Sequence, residues 1–169
     1  MRLVDILTAD RVALHAATES LGGKAAVLET MAQLLARGVS GVASTAAPSA
    51  SNVAAVRAVL EEREGLQSTG IGDGVAIPHG FLGDLAVQIA ALLVVPAGVP
   101  FDAIDDKPAR IILGVVGPKK GMNAQVEHLR ILARVSKVLR EQSLRDLIVA
   151  APNAAEVFRL VADADAKVP

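Results

Sequence analysis

The chain has 169 residues and a formal net charge of −1, and 52% of its residues are hydrophobic. This length suits one domain, residues 1–169, with a core of its own. The sequence contains no cysteine, which excludes disulfides, thiolate metal sites and cysteine nucleophiles. The near-neutral charge and an aromatic content of 2%, without Trp or Tyr, argue against nucleic-acid binding.

The sequence also argues against insertion into a membrane. Its most apolar segment, Leu85–Phe101, is interrupted by two prolines and a glycine and is shorter than the roughly 20 residues of a spanning helix. The first residues include charges at Arg2 and Asp5, which are unlike the apolar stretch of a signal peptide. We therefore expect a cytoplasmic protein.

The first half of the chain predicts one strand and two helices. A strand is expected near residues 12–14, and a helix opens after Gly22-Gly23 and ends at Gly38. Residues 41–52 are rich in Ser, Thr, Ala and Pro, which predicts a loop. A second helix follows, with Val53, Val56 and Leu60 on one face and a charged end at residues 61–64.

The second half predicts two further strands and three helices. Branched aliphatic residues predict strands at 85–95 and 109–116, joined by a loop at 96–108. A long amphipathic helix carries His128 and ends near Leu139, and two shorter helices are expected at 144–149 and 154–162, the last capped by Asn153. The pattern predicts an α/β fold, a three-layer α/β/α sandwich with a mixed sheet.

A glycine-rich segment that ends in a histidine is the strongest functional signal. Residues 68–80 read STGIGDGVAIPHG, a turn followed by the short apolar strand Val75–Ile77 and then Pro78-His79-Gly80. Proline fixes its own backbone angle and glycine lets the chain turn away. We therefore expect His79 at a rigid strand end with its ring directed outwards.

An imidazole in this setting suits phosphoryl transfer, because it is a nucleophile near neutral pH. The backbone amides of Gly72, Asp73 and Gly74 can form an anion-binding nest, and Ser68 and Thr69 offer hydroxyl donors. Arg63 is a candidate bidentate donor to phosphoryl oxygens. His128 can donate to the same group or orient a neighbour, and Asp73 can fix an imidazole tautomer.

Other interpretations of these residues remain open at this level. His79 and His128 can be structural, Arg63 can be a solvated charge at a helix end, and His15 is expected to be a surface or cap histidine. The glycine run lacks the features of a dinucleotide fingerprint or a P-loop. Neither a zinc site made by the three histidines nor a calcium loop made by Asp102, Asp105 and Asp106 has suitable spacing.

The run from Arg63 to Gly80, REGLQSTGIGDGVAIPHG, closely resembles the active-site signature of a bacterial family. This family is the EIIA domain of the fructose/mannitol class in the phosphoenolpyruvate-dependent phosphotransferase system, and it includes nitrogen-regulatory EIIA proteins. The likeness continues through residues 101–108, the strand from Ala109 and residues 127–133, and it covers most of the chain from Lys24 onwards.

The resemblance implies a three-layer α/β/α fold and a role as a phosphotransferase component. The histidine at position 79 would accept a phosphoryl group from the phosphohistidine of HPr or of a nitrogen-branch paralogue, with Arg63 and His128 in support. Downstream partners would be an EIIB/permease or regulatory proteins, and no metal or organic cofactor is implied. EIIB of this class uses a phosphocysteine, so no such module is present in these 169 residues.

Two positions depart from the family pattern. Asp73 replaces a usual asparagine, which would place a potential anion near the phosphoryl group, and Phe81 stands where a basic residue is common. Three functions remain open. The first is a nitrogen-regulatory phosphoryl carrier, the second is a sugar-specific EIIA that serves a separately encoded EIIB and permease, and the third is a regulator that binds partners without being phosphorylated.

Overall fold

A computed structural model describes residues 1–16, 21–39, 47–83 and 85–169. The elements in chain order are a 3₁₀ turn at Leu3–Asp5, β1 (Leu7–Leu14), α1 (Lys24–Val39), α2 (Ala50–Leu66), β2 (Gly70–Gly72), β3 (Val75–Ala76), β4 (His79–Leu82), β5 (Ile89–Val99), β6 (Ala109–Pro118), α3 (Ala124–Val138), α4 (Gln142–Val149) and α5 (Ala154–Lys167).

The six strands form one mixed sheet with the order β1-β5-β6-β3-β2, in which β4 also pairs with β6. β5 and β6 are antiparallel, whereas β1 runs parallel to β5, and β3 and β4 run parallel to β6. β3 and β4 therefore follow each other along one edge of β6, and Ile77 and Pro78 connect them at the point where the site lies.

Helices cover both faces of this sheet, as the prediction of a three-layer α/β/α sandwich required. Along β5, Ala90, Leu92 and Val94 pack on the face covered by α3 and α5. The alternating residues Ala91 and Leu93 pack on the face covered by α1 and α2. A strand that is buried on both faces reads as a continuous apolar run, which explains the composition of β5 and β6.

Several predicted boundaries were wrong. The predicted loop at 41–52 ends earlier, because Ser49 caps α2 by accepting the N–H of Asn52 at 3.2 Å and the helix begins at Ala50; residues 41–46 lie outside the described residues. The predicted strand at 85–95 begins only at Ile89, and β1 and α5 are longer than expected. The start of α5 agrees with the prediction, because its cap is the predicted one: Asn153 accepts the N–H of Glu156 at 2.9 Å.

The predicted start of the loop at 96–108 was also wrong, because β5 continues to Val99. The register between β5 and β6 shifts between Val94 and Val99, and Pro96 lies within this irregularity. A proline that lacks an N–H is tolerated in a strand at such a bulge.

The glycine-rich turn is a β-hairpin. β2 and β3 are antiparallel, with Gly70 opposite Ala76 and Gly72 opposite Val75. Asp73 and Gly74 both have positive φ, 55° and 78°, which is the conformation of a two-residue type I′ turn. Among the described residues, no helix is both long and apolar enough to cross a membrane.

Candidate functional site

His79 is the first residue of β4, and its side chain lies between two surface pockets. The ring is half-buried and forms part of the wall of a pocket of about 340 Å³ and of a second pocket of about 290 Å³. The backbone around it is fixed, since Ile77 N–H donates to Thr69 at 2.9 Å and Pro78 C=O accepts from Val115 at 3.0 Å. The predicted rigid placement is therefore present, at the start of a short strand rather than at its end.

Close packing of α2 on β4 brings Arg63 to His79. A Cβ at Gly80 would lie 3.2 Å from Cβ of Val59, so glycine allows the helix to approach the strand. In the last turn of α2, Arg63 Nε donates to His79 Nε2 at 3.2 Å, and Arg63 Nη1 donates to the carbonyl of Gln67 at 2.9 Å. Arg63 is therefore a partner of the imidazole and is held in place by the helix end.

Two hydrogen bonds define the protonation of the His79 ring. Nδ1 lies 2.7 Å from the carbonyl oxygen of Ile77, an acceptor, so Nδ1 carries the proton. Nε2 accepts from Arg63 and therefore presents a lone pair. Burial lowers the pKa of His79, and the Arg63 charge lowers it further, against the opposite effect of the Ile77 hydrogen bond. The ring is neutral at pH 7, with Nε2 as its nucleophilic atom.

The structure brings the second predicted histidine to the same pocket. His128 lies in the second turn of α3, and its ring centroid is 5.7 Å from that of His79, with the two planes tilted by 47°. His128 is 1% exposed, and burial lowers its pKa to about 4. This imidazole is therefore neutral at pH 7 as well.

Phe81 and Gln88 hold the His128 ring. The Phe81 ring centroid lies 4.5 Å from that of His128, and Gln88 Oε1 accepts from His128 Nδ1 at 2.8 Å. Phe81, which stands where a basic residue is common in the family pattern, thus packs against the second histidine. Gln88 was not predicted as a site residue, because in the sequence it is a lone polar residue just before the apolar run of β5.

Ser68 and Thr69 line the smaller pocket beside His79, but their hydroxyl groups have other acceptors. Ser68 Oγ donates to the carbonyl of Phe101 at 2.6 Å, and Thr69 Oγ1 donates to Glu64 Oε2 at 2.5 Å. Glu64 is 8% exposed and also accepts from Thr69 N–H. Both hydroxyls thus stabilise the segment that precedes β2, and using them as phosphoryl donors would require breaking these bonds.

The structure does not bring Gly72, Asp73 and Gly74 together with His79. None of the three lines either pocket that contains the imidazole. The N–H of Asp73 donates to Asp105 Oδ2 at 2.8 Å, and its carboxylate lies 3.8 Å from Lys107 Nζ and 3.7 Å from Arg145 Nη2. The prediction of an anion-binding nest beside His79 is therefore wrong. These residues form a hairpin turn that contacts the loop between β5 and β6 and the helix α4.

The tautomers are set by groups other than Asp73. The carbonyl of Ile77 accepts a hydrogen bond from Nδ1–H of His79, and Gln88 Oε1 accepts one from Nδ1–H of His128. His15 lies just after β1, where its backbone N–H donates to Val94 at 2.8 Å, and it lines neither pocket. Among the described residues, no cluster of three or more His, Asp or Glu side chains is arranged to bind a metal ion.

Exposed apolar side chains surround the entrance to the His79 pockets. Leu66 is 81% exposed, Leu129 is 66% exposed and Ile71 is 49% exposed, and all three line one of the pockets. Lys119 adds a second cation beside Arg63 in the larger pocket. Exposed apolar side chains that lie together beside a pocket are a common mark of a protein-docking surface.

Comparison with known proteins identifies the class to which this fold and site belong. The family model described as "Phosphoenolpyruvate-dependent sugar phosphotransferase system, EIIA 2" matches residues 6–164. The chain therefore belongs to this family, and it is a phosphotransferase system component.

Within the family, the curated relatives include nitrogen regulatory proteins and sugar-specific EIIA components. The nitrogen regulatory protein of Pseudomonas aeruginosa is 34% identical over 163 residues, 96% of each chain. The fructose-specific EIIA component of Haloferax volcanii is also 34% identical, over 65% of this chain and 69% of its own.

Solved structures show the same fold. Nitrogen regulatory protein IIA-Ntr from Neisseria meningitidis superimposes with a TM-score of 0.75 and 29% identity, covering 93% of this chain and 97% of its own. The mannitol IIA enzyme of Escherichia coli, solved in complex with phosphorylated IIB, has a TM-score of 0.68 at 19% identity, over 94% of this chain and 99% of its own. The family assignment thus supports a function in phosphoryl transfer or in its regulatory use.

Proposed function

We propose that His79 Nε2 accepts a phosphoryl group from an HPr-type phosphocarrier protein or a nitrogen-branch paralogue, in the cytoplasm. The observation that carries this proposal is the state of the ring: Nδ1 is bound to the Ile77 carbonyl at 2.7 Å, and Nε2 presents a lone pair toward Arg63. In the transfer, a bond forms between Nε2 and phosphorus while the nitrogen–phosphorus bond of the donor breaks. The electron pair of that bond stays on the donor ring, which leaves as a neutral imidazole because its other nitrogen carries a proton. The His79 proton remains on Nδ1.

Arg63 has two tasks in this proposal. In the resting protein its Nε donates to the nucleophilic Nε2, and its charge adds to the lowering of the His79 pKa that burial causes. As the donor arrives, the guanidinium turns to the phosphoryl oxygens, whose negative charge it stabilises through paired N–H groups. Lys119, in the same pocket, adds positive charge.

The shape of the entrance supports a protein as the phosphoryl donor. A small sugar phosphate would be bound by polar groups, whereas Leu66, Ile71 and Leu129 offer exposed apolar surface around the imidazole. Exposed apolar surface of this kind suits a partner that buries apolar side chains of its own when it docks. Downstream, the group passes to an EIIB domain, or the phosphorylated protein acts as a signal to regulatory targets.

The nitrogen-regulatory role is the version that we propose, because similarity to the Pseudomonas aeruginosa relative extends over 96% of both chains. The idea of an unphosphorylated regulator depended on Asp73 lying near the phosphoryl group. In the structure Asp73 contacts Lys107 and Arg145 instead, so this argument against phosphorylation loses its basis.

Incubation with enzyme I, HPr and labelled phosphoenolpyruvate tests the proposal. We expect acid-labile, base-stable labelling of the wild type and of His15→Ala, a control histidine outside the pockets, but no labelling of His79→Ala. Label retained in His79→Ala, or an unlabelled wild type, would contradict it. Adding a fructose-class EIIB then separates the two roles: a regulatory protein keeps its label, whereas a sugar-specific one passes it on.

A further inference from the structure

Gln88 makes two hydrogen bonds that together fix its orientation. Its Oε1 lies 2.8 Å from His128 Nδ1, and its Nε2 donates to the carbonyl of Ala124 at 3.4 Å. Because a carbonyl can only accept, the amide nitrogen must face Ala124 and the amide oxygen must face His128. Gln88 is 3% exposed, so water does not compete for these bonds.

This orientation decides the tautomer of His128. An amide oxygen cannot donate, so the proton of the neutral imidazole lies on Nδ1. Nε2 is then an unprotonated nitrogen, and it is buried without a hydrogen-bond partner among the described residues. A buried unpaired nitrogen is costly, and such groups are found where a function uses them.

Gly117 provides the space for the Gln88 amide. This residue of β6 lies opposite Phe81 of β4, and a Cβ placed on it would be 2.3 Å from Gln88 Oε1 and 2.7 Å from Gln88 Nε2. No real Cβ tolerates such a distance, so any larger residue displaces the amide from His128. The glycine and the glutamine therefore act as one unit.

We propose that Gln88 is a positioning residue for phosphoryl transfer at His79, acting through the tautomer and ring orientation of His128. This inference rests on the proposed function. With Nδ1–H bound to Gln88, only Nε2 of His128 is available to the group that enters the shared pocket. When the phosphoryl group reaches His79, Nε2 of His128 takes a proton from solvent and donates it in a hydrogen bond to a phosphoryl oxygen. Gln88 remains bound at Nδ1 throughout.

Nitrogen NMR of the histidine rings tests the tautomer, and single-turnover transfer from phosphorylated HPr tests the role. In the wild type we expect the proton of His128 on Nδ1. Gln88→Met has a similar length but no acceptor oxygen, so it should give a mixture of tautomers and slow transfer about 2- to 10-fold, the value of one hydrogen bond. Gln88→Glu keeps an acceptor oxygen for His128 and should therefore keep the proton on Nδ1, which separates the loss of the acceptor from the loss of the amide. Gln33→Met, an exposed glutamine on α1, is the matched control and should change neither measurement.

Gly117→Ala gives an independent test that leaves Gln88 in the chain. We expect it to disturb the tautomer and slow transfer as Gln88→Met does, because its methyl group occupies the place of the amide. In a Gln88→Ala background, where the amide is absent, Gly117→Ala should cause no further change in the His128 tautomer or in the transfer rate.

The outcomes separate this role from the proposed function. A wild type that accepts no label overturns both, although the tautomer can still be measured. A labelled wild type whose Gln88→Met variant transfers at the normal rate overturns the role of Gln88 alone. So does a His128 proton found on Nε2 in the unphosphorylated protein, or an effect of Gly117→Ala that persists without Gln88.

Discussion

Replacing Arg63 with lysine tests whether the guanidinium group that contacts His79 Nε2 takes part in phosphoryl transfer. Arg63 donates two hydrogen bonds, from Nε to His79 Nε2 at 3.2 Å and from Nη1 to the carbonyl of Gln67 at 2.9 Å. Lysine keeps the positive charge but has a single ammonium group, which cannot hold the helix end and grip two phosphoryl oxygens at once. The substitution thus removes one charge-assisted hydrogen bond from the transition state.

The size of the effect follows from the value of that bond. Hydrogen bonds to charged groups contribute about 1.5–3 kcal/mol, and each 1.4 kcal/mol changes a rate tenfold. We therefore expect Arg63→Lys to slow phosphoryl transfer about 10- to 100-fold. The free energy of unfolding should change by less than about 1 kcal/mol, because Arg63 is only half-buried.

Single-turnover transfer from phosphorylated HPr measures the rate, and urea unfolding confirms that the variant is folded. Arg57→Lys is the matched control, since Arg57 lies on the same helix but pairs with Glu29 and Glu61 rather than with His79. A second variant, Arg63→Met, should raise the pKa of His79 because it removes the positive charge that lowers it. Transfer at the wild-type rate in Arg63→Lys would show that Arg63 is a solvated charge at a helix end.

Three further predictions concern charge and burial. The pKa of His128 in the folded protein is about 4, below its ordinary value near 6.5, so the unfolded chain binds the proton first and stability is lost as pH falls between these values. Between pH 7 and pH 4, urea unfolding should show that the free energy of unfolding falls by about 3 kcal/mol less in His128→Phe than in the wild type. An equal fall in both proteins would contradict the burial of a neutral ring. Glu64→Ala should cost about 2–3 kcal/mol in the same assay, because it leaves Thr69 and Lys24 without their shared acceptor, and exposed Glu61→Ala should cost under about 1 kcal/mol. Asp73→Asn should leave the transfer rate within about twofold of the wild type, and a larger change would show that this turn reaches the phosphoryl group after all.

Local sequence patterns predicted most of the architecture because they carry strong physical signals. The apolar runs of β5 and β6 indicated strands buried on both faces, and Asn153 marked the start of α5. Boundaries failed where tertiary pairing overrides a local preference. Pro96 suggested a loop, yet a shift in register lets β5 continue past it.

The site was predicted in part for a similar reason. A histidine fixed by proline and glycine signals a special backbone, and the family resemblance connected it with Arg63 and His128. The hairpin was not predicted, although Asp73-Gly74 is a dipeptide typical of a two-residue type I′ turn and both residues have the positive φ of that turn. Gln88 was missed since its partner lies 40 residues away along the chain and only packing joins them.

The identity of the phosphorylated nitrogen tests the central claim most directly. The protein should be produced with ¹⁵N-labelled histidine, phosphorylated through enzyme I and HPr, and studied by ³¹P and ¹⁵N NMR. Because the Ile77 carbonyl holds the proton of Nδ1, we expect phosphorus on Nε2 of His79 and a proton retained on Nδ1. Phosphorus on Nδ1 of His79, or on any other residue, would contradict the account.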